Sequence, residues 1–160
     1  YKYVRVETNF ADDMWVTAAE MRPGNAKVLH HRKVGVVPPG STWMAKAVNG
    51  EAYERESHRE IMGNNAIEEG NDILGKFNPG LGAQRSDMTG AAKIIPRGSD
   101  LVFELHYTTS AEPTSDASKL GLVLAKQAPR TRYYFHAGPT AMNLPIPAGV
   151  GNAPIRPQLS

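Results

Sequence analysis

The fold is decided around the stretch Val28-Leu29-His30-His31-Arg32-Lys33-Val34-Gly35-Val36-Val37. This run is rich in β-branched residues. Pro23-Gly24-Asn25 precedes it and Pro38-Pro39-Gly40 ends it. A β-branched run between turn residues is typical of a strand. The stretch therefore predicts a β-strand with two adjacent histidines near its beginning.

The two histidines raise the question of a metal site, because imidazole is the commonest metal ligand in proteins. Successive side chains of a regular strand point to opposite faces, so His30 and His31 could bind one ion only at a bulge, at a strong twist or at a frayed strand end. The alternative is that one ring is hydrogen-bonded in the core and the other is solvated. The pair alone leaves both interpretations open.

The composition indicates one globular, turn-rich domain. The chain has 160 residues, 41% of them apolar, with 15 glycines and 12 prolines. This content disfavours a long helical bundle. The net charge is only +2 and the basic residues are scattered, which argues against a nucleic-acid partner. No apolar run approaches the ~18 residues of a membrane span, so none is expected.

The chain contains no cysteine, which excludes disulfides, thiolate zinc sites and cysteine catalysis. Its first residue, Tyr1, is not an initiator methionine, and no signal peptide is visible. The chain is therefore expected to be a processed product or a part of a longer protein.

Short alternating or β-branched segments, separated by turn residues, predict further strands. The clearest is 101–108, where Leu101, Phe103 and Leu105 share one face and His106 lies on the other. A polar turn from Ser110 to Ser118 leads to the next strand, and the two strands are predicted to form a hairpin. The predicted strands are 1–10, 14–21, 28–37, 71–77, 91–95, 101–108, 120–125 and 132–136.

Two regions do not follow this strand pattern. Residues 41–75 are expected to form a long, mostly irregular insertion, with a short helix over 51–60 and a solvated His58. Residues 139–160 are expected to form a proline-rich extended tail or linker. The fold prediction is therefore an all-β protein, an antiparallel, jelly-roll-like β-sandwich of eight to ten strands over residues 1–138.

Three of the five histidines lie in the best-defined strands and form the candidate site: His30, His31 and His106. A set of three imidazoles suits copper or zinc, and the Irving–Williams order favours copper. A long stretch of chain separates His106 from the pair, so spacing alone does not bring them together. A serine hydrolase is not indicated, because Gly-x-Ser-x-Gly is absent.

Several segments within residues 1–126 resemble the copper type II, ascorbate-dependent monooxygenase family. The matching motifs are Thr8-Asn9-Phe10, Asp13-x-Trp15-Val16, Met21-Arg22-Pro23-Gly24-Asn25, Val28-x-His30-His31, Phe77-x-Pro79-Gly80, Ala92-Lys93-Ile94-Ile95-Pro96-x-Gly98-Ser99-Asp100-Leu101-Val102-Phe103 and His106-Tyr107-Thr108. The chain looks most like bacterial relatives, which often place this module after a cytochrome c-like domain.

This resemblance implies a fold and a role. Family members hold one copper in each of two jelly-roll-like domains. The first, electron-transfer copper is bound by a His-His pair and by the histidine of a His-Tyr strand, which implies His30, His31 and His106 as ligands. It further implies a distorted strand at the pair, ascorbate or a cytochrome as reductant, and a periplasmic or extracellular location.

The chain also departs from the family pattern. The His-x-His motif of the oxygen-activating second domain is absent, so this domain is not expected to act as a hydroxylase alone. Pro145-x-Pro147-Ala148-Gly149 resembles the stretch that leads into that second domain. Arg32 stands where an apolar residue is usual, and with Lys33 it would disfavour added positive charge.

Two other functions remain open. The sandwich could be a non-catalytic structural or surface-assembly module that kept the fold, with the tail and strand ends contacting neighbouring subunits. The histidines could also form a zinc site with an open position for hydrolysis.

Overall fold

The chain folds into a β-sandwich, as seen in a computed structural model that describes residues 1–62, 73–87, 90–135 and 148–152. Ten strands and one short helix lie in these ranges. They are β1 (Lys2–Glu7), β2 (Met14–Arg22), β3 (Leu29–Val37), β4 (Ala52–Tyr53), α1 (Arg59–Met62), β5 (Ile73–Phe77), β6 (Gln84–Arg85), β7 (Ala91–Ile95), β8 (Asp100–Tyr107), β9 (Lys119–Leu124) and β10 (Thr131–Arg132).

The strands form two five-stranded sheets. The first sheet has the order β4-β1-β8-β3-β5, and the second has the order β10-β7-β2-β6 with β9 paired to β2. All pairings are antiparallel except that of β10 with β7. The predicted all-β sandwich and its number of strands are confirmed.

The main core lies between the two sheets and follows the alternation of the sequence. Val34 and Val36 of β3 face the second sheet, whereas Val37 faces away from it. This is the period of two that a strand imposes on its side chains. The buried members of this core are Val16, Ala19, Met21, Val34, Val36, Leu74, Ile95 and Leu101.

The side chain of Gln84 joins the two sheets at one edge. Its Oε1 accepts a hydrogen bond from the Lys76 backbone N–H at 2.7 Å, and its Nε2 donates to the Lys76 backbone carbonyl at 2.7 Å. Gln84 itself pairs with Ala19 in the second sheet. The amide therefore substitutes for a neighbouring strand along the free edge of β5.

Part of the outer face of the first sheet is covered by residues 41–62. This segment, which we call the cover segment, buries a second cluster against the sheet: Tyr3, Val37, Trp43, Met44, Ala47, Tyr53, Met62, Ile73 and Val102. The predicted helix over 51–60 is wrong. Tyr53 instead pairs with Tyr3 as part of β4, and the helix is only the single turn of α1.

The predicted hairpin between the strands at 101–108 and 120–125 is also wrong. Both sides of β8 are occupied, by β1 and β3, so β9 pairs with β2 in the other sheet. The polar turn is long enough to pass from one sheet to the other.

Other predictions lie outside the described residues. They include the tail over 139–160, of which only 148–152 is described, and His136. Within the described ranges the only α-helix is α1, and at four residues it is too short to cross a membrane.

Candidate metal site

A β-bulge brings the two adjacent histidines to the same face of the first sheet. Leu29 of β3 lies opposite Tyr107 of β8, and His31 lies opposite His106, so His30 is an extra residue in the ladder. Leu29 is buried at 2% exposure, on the inner face. The expected distortion of the strand at the pair is therefore confirmed.

The three imidazoles converge on one point of the outer face. The Nδ1 atom of His106 lies 2.8 Å from Nε2 of His31 and 3.4 Å from Nδ1 of His30. One donor atom from each ring can be chosen so that all three lie within 4.8 Å of one another. We call this group the histidine cluster.

The donor set fits a small transition-metal ion. Two imidazole nitrogens bound to one ion at about 2.0–2.1 Å lie roughly 3 Å apart, which is close to the separations found here. Three nitrogen donors without a thiolate suit copper or zinc rather than calcium or magnesium. The histidine cluster could therefore hold a metal ion.

The surroundings favour neutral imidazole at His31. Burial lowers the pKa of His31, and the neighbouring rings of His106 and His30 lower it further, against a smaller opposite effect of the Glu104 carboxylate. A neutral imidazole is the form that binds metal. The site therefore disfavours protonation of His31.

Tyr1 forms one wall of the cluster. Its ring stacks on His106, with centroids 4.3 Å apart and planes at 10°. Because β1 pairs with β8, and Lys2 lies opposite Leu105, the preceding residue falls beside His106. The sequence reasoning did not assign Tyr1 to the site, although Tyr1 shares the face of Tyr3 in the alternating pattern.

An ion pair lies next to the cluster on the same outer face. The ammonium of Lys33 is 3.0 Å from a carboxylate oxygen of Glu104, whose side chain is only 8% exposed. Lys33 and Glu104 are directly opposite each other in the β3–β8 ladder. The charge of Lys33 is therefore largely balanced by its neighbour.

Asp116 connects the two strands of the cluster from the inner side. Its carboxylate accepts hydrogen bonds from the Tyr107 hydroxyl at 2.8 Å, the Asn25 backbone N–H at 2.7 Å and the Ser118 hydroxyl at 2.6 Å. Burial raises the pKa of Tyr107 to about 12, together with its bond to Asp116. The residue after His106 is thus tied to the turn that precedes β3.

The loop that carries Asp116 packs tightly on that turn. A Cβ placed on Gly24 would lie 2.5 Å from the backbone nitrogen of Ala117, closer than real atoms allow. The Pro23-Gly24-Asn25 turn therefore needs glycine for close approach rather than for an unusual φ.

Arg32 follows His31 but points to the opposite, inner side of the sheet. It is buried at 1% exposure, and its Nη2 donates to the Lys119 backbone carbonyl at 2.9 Å. Burial lowers the pKa of Arg32, whereas Asp116 and Tyr107 act in the other direction. Arginine nonetheless remains charged in proteins.

His58 is not part of the cluster. It lies in the cover segment, where its ring meets Tyr53 edge-on at 5.4 Å between centroids. Its Nδ1 contacts the Glu54 backbone oxygen and the Ser57 hydroxyl. Among the residues whose positions are described, the histidine cluster is the group of histidines and acidic residues that could hold a metal ion.

Comparison with protein-family models, with curated proteins and with solved structures gives no match to this chain.

Proposed function

We propose that this protein is a type II copper-binding domain that acts as the electron-transfer half of a copper-dependent monooxygenase. The observation that carries the proposal is the bulge at His30, which turns two sequence neighbours toward His106. A bulge leaves a residue unpaired, so it usually serves a purpose beyond sheet formation. The resemblance of residues 1–126 to the ascorbate-dependent family supports the choice of copper.

In this proposal His30, His31 and His106 hold the copper, which supplies one-electron redox chemistry when bound. Tyr1 restricts the ring of His106 by stacking, and the Asp116 hydrogen bonds fix the strand positions behind the ligands. His30 is exposed, so a reductant such as ascorbate or a cytochrome can approach this side.

Substrate oxidation would require a partner. The second copper domain of the resembling family, or a cytochrome domain, would belong to a longer protein in the periplasm or outside the cell. The domain alone is expected to bind copper, which an added reductant such as ascorbate can reduce, without hydroxylating a substrate.

Metal titration tests the proposal. We expect one equivalent of Cu(II) to bind with the electron paramagnetic resonance spectrum of nitrogen ligation, and ascorbate to remove that signal. His106→Ala is expected to lower the copper affinity at least about 100-fold, by analogy with the large cost of losing metal ligands or their supports. His58→Ala is the matched control, because His58 lies outside the cluster.

Two outcomes would overturn the proposal. Unchanged stoichiometry and spectrum in His106→Ala would show that the three histidines are not the copper ligands. Zinc as the metal of the unsupplemented protein, with copper unable to displace it, would favour the open zinc site instead.

A structural or assembly role is the second candidate, and the exposed edge of β9 favours it. Val123 is 58% exposed and Leu124 is 40% exposed on a strand that pairs only with β2 among the described residues. An open apolar edge is a template for pairing with another chain. Sedimentation of the metal-free protein tests this role: stable oligomers without copper binding would support it, and a monomer would exclude it.

A further inference from the structure

Arg32 is a buried charge directly behind the histidine cluster. It is the neighbour of His31 in β3 and lies opposite Leu105 in β8, on the face between the sheets. At 1% exposure it has left water almost completely. A charged side chain is rarely buried to this extent unless it is paired.

The guanidinium is only partly satisfied. Nη2 donates to the Lys119 carbonyl, whereas Nε and Nη1 have no hydrogen-bond partner in the described part of the chain. The ring of Phe77 lies 5.9 Å from the guanidinium carbon. No carboxylate of the described residues forms an ion pair with Arg32.

The other charges near the cluster are better balanced. Lys33 is paired with Glu104 on the outer face. Asp116 is the acidic group whose charge acts on Arg32, and its carboxylate accepts hydrogen bonds from Tyr107, Ser118 and the backbone of Asn25. Of Arg32 and Lys33, Arg32 is therefore the cation without an ion-pair partner among the described residues.

We propose that Arg32 shifts the relative affinity of the histidine cluster toward the monovalent, reduced ion Cu(I) and away from the divalent ions Cu(II) and Zn(II). This inference rests on the proposed function, because it requires a copper site at the cluster. A fixed positive charge repels a divalent ion twice as strongly as a monovalent one. Burial between the sheets reduces the solvent screening of this repulsion.

The size of the effect follows from Coulomb's law. A unit charge on the order of 10 Å away, at an effective dielectric constant of ~20, changes an affinity about tenfold for each unit of ion charge. The charge of Arg32 is therefore expected to weaken the binding of Cu(I) to the histidine cluster about tenfold less than the binding of Cu(II) or Zn(II).

The test compares Arg32→Met with the wild-type protein. The affinities for Cu(I), Cu(II) and Zn(II) are measured separately by competition with chelators of known affinity. We expect the Cu(I)/Cu(II) affinity ratio to fall about tenfold, which is a decrease of about 59 mV in midpoint potential. Arg97→Met is the matched control, since Arg97 is exposed in the turn at the opposite end of β8 from His106.

Two further variants separate charge from packing. Arg32→Lys keeps the charge and is expected to keep the ratio. Asp116→Asn removes the opposing charge and is expected to raise the ratio. If Arg32→Met does not fold, Asp116→Asn decides the question: an unchanged or lower ratio would overturn the inference.

The failure of this inference is distinguishable from that of the proposed function. Copper binding through the three histidines, with the same ratio in wild type and Arg32→Met, would overturn the role of Arg32 alone. No copper binding by the wild-type protein would overturn both.

Discussion

The two halves of the outer face of the first sheet are built from the same strands but differ in almost every other respect. Over one half, Trp43 and Met44 of the cover segment seal Val37 and Val102, and each of these side chains is buried. At the other half, β3 is bulged and carries the histidine cluster, with an exposed His30. One half is dry core and the other is an open polar surface.

This difference indicates that stability and metal binding depend on separate residues. The covered half supplies apolar burial, which is the main favourable term in folding. The open half contributes little apolar burial and includes an unpaired bulge residue. The two halves should therefore respond differently to mutation.

Trp43→Ala is expected to give the largest loss of stability. Trp43 is fully buried, so its removal should lower the free energy of unfolding by about 3–5 kcal/mol. Urea denaturation measures this loss, and the folded fraction should keep its metal affinity. Val48→Ala in the same segment is the control, because Val48 is 61% exposed and its truncation should cost at most about 0.5 kcal/mol. A comparable loss in both variants would contradict the proposed covering role.

Deletion of His30 is expected to change stability little and to weaken metal binding strongly, the reverse of what is expected for Trp43→Ala. Without the extra residue, Leu29 and His31 would pair in a regular ladder while keeping their faces. We expect stability to change by no more than about 1 kcal/mol, whereas metal affinity should fall at least 100-fold, or about 2.8 kcal/mol. His30→Ala, which keeps the bulge, separates the loss of the ligand from the loss of the bulge. Retained affinity in the deletion variant would show that His30 is not a ligand.

Tyr107→Phe is expected to lower stability less than Trp43→Ala does. It removes the hydrogen bond to Asp116, which should cost about 1–2 kcal/mol of stability. The pKa of Tyr107 is raised to about 12 from 10, so its stabilising contribution is complete below pH 10 and is lost as pH rises toward 12. Unfolding measured between pH 9 and 11 should show a weaker alkaline decline in the variant. Tyr133→Phe, at an exposed position, should retain the wild-type decline.

The smallest expected effect is an acid dependence from His31. Its pKa is lowered in the folded state, so the unfolded chain binds the proton more readily. The stability that the lowered pKa of His31 contributes is therefore present above pH 6.5 and decreases as pH falls below that value. Unfolding of metal-free protein at pH 7.5 and 5.5 measures the decrease, which His31→Gln should reduce. An equal decrease in both proteins would assign it to other groups.

Much of the fold could be predicted from the sequence, because alternation and turn residues depend on local physics. The segment 101–108 predicted both the strand β8 and the outward face of His106. The pairing of β9 could not be predicted in this way, since a polar turn does not specify which sheet the next strand joins.

The cluster could be predicted only in part. Strand periodicity argued against a shared site for His30 and His31, and no local signal in Leu29-His30-His31 marks a bulge. The resemblance, rather than spacing, suggested that His106 approaches the pair. The position of Arg32 next to the histidines was visible in the sequence, but its burial depends on contacts made by the distant residues Phe77 and Lys119.

The Gln84 amide that joins the sheets has a consequence for aggregation. It occupies the Lys76 N–H and carbonyl groups that would otherwise invite an incoming strand. A foreign chain must displace this amide before it can extend the first sheet past β5. Gln84 thus hinders the addition of a strand from another chain, and therefore aggregation, at this edge of the sandwich.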